Sequence, residues 1–339
     1  MLIVDAHLDL SSNALGGRDI LQPASRQPLS GSLIATVGLP DLRAGGVGLV
    51  CATVFTDPSI DGSPGYRTAD EACAQGQKHL AYYQQQEKAG TFRFIRNRAE
   101  LNALVDAPRD ASAATAALNA ILLMEGADPL RTPADIQPWH DAGLRIIGLA
   151  WKRTRYAGGT GDPGPLTADG VALVPELDRF GIIHDTSHLA EQSFWQLLDL
   201  TDGPVMASHS NCRAIVPTDR QLSDDMIRAI IKRDGVIGIN FFDRFLLPPD
   251  QYGKRRATLV DVITHMKRIC DLAGDATHVG IGTDMDGGLG RNEIPEEIQT
   301  SADLPKIAPV LSAAGFSDRE VAGIMGDNWV SFFRRALPA

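Results

Sequence analysis

The chain has 339 residues, 44% of them apolar and 22% charged, a balance that excludes wholesale disorder, a collagen-like repeat and a coiled coil. Lys and Arg number 32 against 42 Asp and Glu, a formal net charge of −10, which argues against nucleic acid or an anionic membrane as the main partner. The length suffices for a large core without disulfides. No linker, internal repeat or low-complexity tract divides it, so residues 1–339 are expected to form a single catalytic domain.

Eight short apolar runs follow one another along the chain. They are Leu2–Asp9, Val47–Thr56, Ala120–Glu125, Leu144–Ala150, Gly181–Ser187, Pro204–His209, Val236–Phe241 and His278–Asp284. Mostly continuous apolar character, rich in β-branched residues, reads as strands of a parallel sheet buried on both faces. Between them, residues 68–88, 189–200, 222–234 and 257–273 carry helix-period apolar positions. Thr68-x-x-Glu71 and Ser317-x-x-Glu320 fit the capping box. Eight strands alternating with helices predict a (β/α)8 TIM barrel, although a doubly wound sheet gives the same alternation. The Gly/Pro-rich segments 57–65 and 157–170 each follow a strand, where barrel enzymes build active-site loops.

The four cysteines, Cys51, Cys73, Cys212 and Cys270, show no CxxC spacing and read as reduced, mostly buried thiols. The N-terminus carries no basic-then-apolar leader, and no 18-residue apolar run occurs. A cytoplasmic protein is expected.

The chemistry-bearing residues gather at strand ends. The first run ends in His7-x-Asp9, the third at Glu125, and the fifth in Asp185-Thr-Ser-His188. The sixth ends at Ser208-His209 and the eighth at Asp284. Strand alternation turns residues 7 and 9 to one side. Barrel enzymes take catalytic groups from the C-terminal ends of several strands. Imidazole and carboxylate together suit an ion such as zinc. Six donors exceed what one ion usually takes from protein, which makes two ions sharing a bridging group plausible; such a pair can activate a bridging water and polarise a carbonyl. Each piece also has an ordinary structural use: a structural HxD, a paired buried Glu125, a hydrogen-bonded core His209, or a turn opened by Asp284 and Asp286. The other histidines are read as structural. His79 and His265 are placed on solvated helix faces, His140 near a helix end, His184 within a strand, and His278 at the far end of the eighth strand.

The stretches Asp5-Ala-His-Leu-Asp9, Met124-Glu-Gly126, Asp185-Thr-Ser-His188 and Ala207-Ser-His-Ser-Asn211 resemble the membrane dipeptidase (renal dipeptidase) family of zinc peptidases, especially its soluble bacterial members. So do Gly235–Phe241, His278–Gly287 and Gly326-Asp-Asn-Trp329, in family order and across nearly the whole chain. The resemblance implies a barrel with two Zn2+ per chain, one on His7 and Asp9, the other on His188 and His209, with Glu125 bridging. It implies a catalytic Asp284 that handles the proton of a bridging water, and an Arg220 that recognises the substrate's C-terminal carboxylate. The implied reaction is hydrolysis of a small dipeptide, L-Xaa-L-Xaa or L-Xaa-D-Xaa, by a metal-bridging hydroxide. A homodimer is in keeping with relatives. Three positions depart from the renal enzyme: Trp151 stands for a substrate-contacting His, Phe245 for a Tyr, and Gln221 for an Asn. Tryptophan donates one hydrogen bond but cannot become a cation near neutral pH, so substrate scope is expected to differ. The alternatives are a metal-dependent amidohydrolase acting on an N-acyl amino acid or cyclic amide, and a non-catalytic metal-containing binding protein.

Overall fold

The computed structural model describes residues 2–60, 62–107 and 117–339. The eight apolar runs form β1 (Ile3–Leu8), β2 (Val47–Phe55), β3 (Leu118–Glu125) and β4 (Leu144–Gly148), then β5 (Ile183–Asp185), β6 (Val205–Met206), β7 (Ile237–Ile239) and β8 (Val279–Ile281). Parallel ladders run in the order β7-β8-β1-β2-β3-β4-β5-β6. A parallel bridge between Ala207 and Ile237 joins the two ends. The ring is therefore a (β/α)8 barrel; a doubly wound sheet would leave two open edges.

Several strands are shorter than the apolar runs that predict them. Ala207, Ser208 and His209 leave the β6 ladder as the chain turns into the barrel mouth. The period of two still governs what faces inward. Leu49 and Cys51 of β2, Ile121 and Leu123 of β3, Ile183 of β5 and Met206 of β6 pack into one inner core. The next inward positions, Thr53, Glu125, Asp185 and Ser208, are buried and polar. The barrel interior thus changes from hydrocarbon to hydrogen-bonding groups toward the C-terminal strand ends. The helix Asn328–Ala336 plugs the opposite end, with Trp329 fully buried and its Nε1 donating to the Ile281 carbonyl at 3.0 Å. Gly280 makes room for that ring; a Cβ there would strike the indole.

Helices at Ala69–Lys88, Glu191–Leu200, Asp224–Lys232 and Leu259–Ala273 match the predicted segments, and both capping boxes form. Two expectations need correction. His79 and His265 are not on solvated faces. His79 is 9% exposed with Nδ1 2.8 Å from Ser11 Oγ. His265 is fully buried between the Cys212 amide, 3.1 Å from Nδ1, and the Leu246 carbonyl, 3.1 Å from Nε2. Both helices pack beneath further chain, so a polar residue at a helical period is covered. The segment 157–170 is also no simple loop. Ala157–Gly159 and Asp162–Leu166 pair as an antiparallel hairpin, and a helix begins at Ala168. His140 lies in the last turn of the helix Ile136–Asp141, and His184 is buried on β5 with Nε2 2.7 Å from Asp178. All four cysteines are unpaired, with Cys51 and Cys212 buried. Among the described residues no helix is long and apolar enough to cross a membrane.

Candidate metal centre

Glu125, the last residue of β3, is the hub of the barrel mouth. Its Oε2 lies 3.5 Å from His7 Nε2, and its Oε1 lies 3.3 Å from His188 Nε2 and 3.4 Å from His209 Nε2. His7 Nε2 is 3.8 Å from Asp9 Oδ2. Each oxygen of Glu125 therefore faces a different group of donors. Three overlapping sets have all their donor atoms within 4.8 Å of one another: His7, Asp9 and Glu125; Glu125, His188 and His209; His7, His209 and Asp284. The structure brings together all six residues expected at the strand ends.

The backbone reaches this arrangement at a local cost. His188 and Asp284 have φ of 65° and 59°, the left-handed region that disfavours side chains by roughly 1–2 kcal/mol. Hydrogen bonds fix the donors from behind. Thr53 Oγ1 donates to Asp9 Oδ1. Thr160 Oγ1 lies 3.0 Å from His188 Nδ1, and Asn240 Nδ2 donates to Asp284 Oδ2 at 2.9 Å. Behind His7 and His209 stand Ser208 and Asp185. Sequence reasoning did not assign roles to Thr53, Asn240, Thr160 or Ser208. For Thr53, Asn240 and Ser208 the one sequence signal is a polar residue inside an apolar run, and for Thr160 it is only a place in a Gly-rich segment; neither says which donor the residue meets. Gly287 is required beside them, because a Cβ there would run into Asp284 and Asp9.

The electrostatics call for added positive charge. Burial pushes Asp284 up to about 8; His7 opposes this, and Asp9 and Glu125 reinforce it. Burial likewise raises Glu125, against the pull of His7. Burial opposes charge on His7, but Glu125, Asp9 and Asp284 outweigh it and drive the imidazole up to about 10. Burial, together with Arg220 and His7, holds His188 and His209 well below the ordinary histidine range. These two are neutral imidazoles, the form that ligates metal. His7 Nε2 is buried without a hydrogen-bond partner, and His188 Nε2 and His209 Nε2 face each other at 3.0 Å. A cation among these atoms would satisfy the orphaned nitrogen and balance three crowded carboxylates.

A cavity of about 570 Å³ opens over the cluster, lined by Asp9, Glu125, His188 and Asp284 and walled by Trp151 and Phe245. Trp151 meets Phe55 edge-on at 5.2 Å between centroids. Arg220 is 4% exposed and does not line the cavity. Phe245 lies over its guanidinium at 5.3 Å. Nη2 donates to the His209 carbonyl at 2.6 Å and Nη1 to Ser210 Oγ at 3.1 Å, and Nε has no partner. Asp286 is a buried anchor: it accepts from the Thr36 and Val37 amides and pairs with Arg18 at 3.2 Å.

A parallel (β/α)8 barrel with buried imidazoles and carboxylates converging at its C-terminal strand ends defines the metal-dependent hydrolase class. The model of the membrane dipeptidase family (peptidase family M19) matches residues 1–337, and the chain belongs to that family. Dipeptidase AC, a metallopeptidase of family M19, is 27% identical with a TM-score of 0.80, covering 100% of this chain and 99% of that one. A Rhodobacter sphaeroides metallopeptidase, solved with a phosphinate mimic of the dipeptide L-Ala-D-Ala, is 26% identical with a TM-score of 0.81 over 99% of both chains. An uncharacterized Klebsiella pneumoniae protein encoded in the pqqA 5′ region is 31% identical over 207 residues, 58% of this chain and 73% of that protein. The alignments span about half the length of several other curated relatives. The family is one of metallopeptidases, which implies a metal, and these residues form candidate metal-binding groups.

Proposed function

We propose that the chain is a dipeptidase that works with two zinc ions, held by His7 and Asp9 on one side and by His188 and His209 on the other, with Glu125 shared between them. The observation that carries this reading is the split of Glu125: one oxygen faces His7, the other faces His188 and His209. Zinc in such a donor set supplies Lewis-acid polarisation of the scissile carbonyl and a water that is nucleophilic near neutral pH.

The protein's own groups do the rest. Asp284 sits against the donor cluster with Oδ2 held by Asn240, positioned to take the proton of the attacking water and hand it to the leaving amine. Arg220, buried beneath Phe245, supplies positive charge behind the cavity wall that favours the substrate's terminal carboxylate. Phe245, over the guanidinium and lining the cavity, keeps that charge from water. Trp151 and Phe245 shape the side-chain pockets of the cavity. The likeness to a metallopeptidase solved with an L-Ala-D-Ala mimic supports small L,L or L,D dipeptides as substrates. Four unpaired thiols fit a reducing compartment, the cytoplasm.

The test is metal-resolved. The purified protein is assayed for bound zinc, stripped by chelator, reloaded, and offered L,L and L,D dipeptides beside N-acyl amino acids. Two zinc ions per chain and chelator-sensitive dipeptide cleavage are expected. Cleavage of N-acyl amino acids alone would make the protein an amidohydrolase of another specificity. Metal without any turnover would reduce it to a binding protein.

A further inference from the structure

Ser208 has one hydroxyl hydrogen and two lone pairs, and four polar neighbours compete for them. Asp185 Oδ2 is the nearest at 2.5 Å. The other oxygen of Asp185 accepts the backbone N–H groups of Ser187 at 3.0 Å and Ser208 at 2.8 Å. With Oδ1 already accepting two N–H groups and Oδ2 the shortest contact of the hydroxyl, Asp185 is the acceptor and the hydroxyl hydrogen goes to it. Ser187 Oγ, at 3.4 Å, is too distant to divert it. The two remaining neighbours are His209 Nδ1 at 2.7 Å and His7 Nδ1 at 3.2 Å. With its hydrogen spent, Ser208 accepts from both. Each ring therefore carries a hydrogen on Nδ1 and turns Nε2 toward Glu125, at 3.5 Å from His7 and 3.4 Å from His209, so that a metal ion would take the place of any proton on Nε2.

We propose that Ser208, oriented by Asp185, is a positioning residue that fixes the tautomer of His7 and His209 together and so couples the two metal positions. The coupling and the tautomer of His7 rest on the paired-metal reading above; the tautomer of His209 does not. His188 lies outside the device, since its Nδ1 meets Thr160 Oγ1. Hydrogen-bond partners behind ligating histidines typically set metal affinity by about 10–100-fold. One serine here stands behind a histidine of each pair.

Two readouts test this, both independent of turnover. Chelator competition measures the affinity of each zinc ion in the wild type, Ser208→Ala and Thr160→Val. Ser208→Ala is expected to weaken both ions by about 10-fold or more, and Thr160→Val only the ion on His188. A Ser208→Ala protein that loses affinity for one ion, or for neither, overturns the coupling. Imidazole 15N correlation spectra report the tautomers directly, and the proposal requires a protonated Nδ1 on His7 and on His209. An unprotonated Nδ1 on either ring overturns it. Should the wild type take up no zinc, the paired-metal reading fails, while the spectra of the metal-free protein still decide the tautomer of His209. Asp185→Asn covers the case in which Ser208→Ala does not fold. The Ser187 and Ser208 amides hold the new side-chain oxygen, so its NH2 faces Ser208 and forces the hydroxyl hydrogen onto one imidazole. One ring is expected to switch to Nε2–H; two unchanged rings count against the proposal.

Discussion

Asp284 and Arg220 differ from the other site residues in being tied to backbone or amide partners on one side and to the donor cluster on the other. Asp284→Asn keeps the shape of the side chain and a possible contact with Asn240, but it removes the proton acceptor. A fall in kcat/KM of about 10²-fold or more is expected with the metal content unchanged; a loss below tenfold would assign proton transfer elsewhere. Arg220 is expected to act on binding. Arg220→Ala should raise KM for a dipeptide with a free carboxylate by about tenfold or more, and leave the corresponding C-terminal amide unaffected, because only the charged terminus is drawn to the buried guanidinium. An equal effect on both substrates would show that Arg220 serves mainly to hold the His209 carbonyl. At this scale the sequence was informative for which donors gather at the barrel mouth and poor for what supports them. His7, Asp9, Glu125, His188, His209 and Asp284 stand out because imidazole and carboxylate are unusual at the ends of apolar strands. Ser208 and Asn240 do not, since a serine or asparagine has many uses and only the closed barrel shows which donor each meets. Arg220 was expected in contact with substrate, and its position beneath Phe245 could not be read from spacing.

Among the elements, the strands were the most legible, because both faces of a parallel barrel strand are buried and the run of apolar residues is unbroken. Their ends were less so. Hydrogen bonding stops where the chain bends into the mouth, and composition does not mark that point. The hairpin within 157–170 was hidden by its glycines and prolines, which read as loop even where Ala157–Gly159 pairs with Asp162–Leu166. The C-terminal helix makes the clearest element-scale prediction. Trp329 is fully buried against the inner core and stacks on Phe333 at 5.6 Å, while Gly280 leaves the space for its indole. Trp329→Ala should cost about 3–5 kcal/mol of stability in chemical denaturation. A cost below about 1 kcal/mol would mean that the barrel floor collapses to refill the space.

Over the whole molecule, the acid limit of stability depends on buried histidines outside the donor cluster. Burial pushes both His79 and His265 down to about 4. At His265 the cause is visible: Nδ1 accepts from the Cys212 amide, and a proton there would break that bond inside a dry interior. In the unfolded chain the same imidazole titrates near 6.5. Between about pH 4 and 6.5 the unfolded state therefore holds more protons than the folded one. Stability from this group is full above about 6.5 and is lost as the pH falls toward 4. Other buried groups titrate over the same range with either sign, so the contribution is isolated by difference. His265→Gln offers an amide oxygen and an NH2 in place of the two ring nitrogens and does not titrate. Relative to the wild type, its unfolding free energy measured by urea denaturation should lose a pH dependence equivalent to about one proton across that window. Parallel wild-type and variant curves would show that His265 takes up its proton in the folded state, and that the acid limit belongs to His79 or to other buried neutral imidazoles.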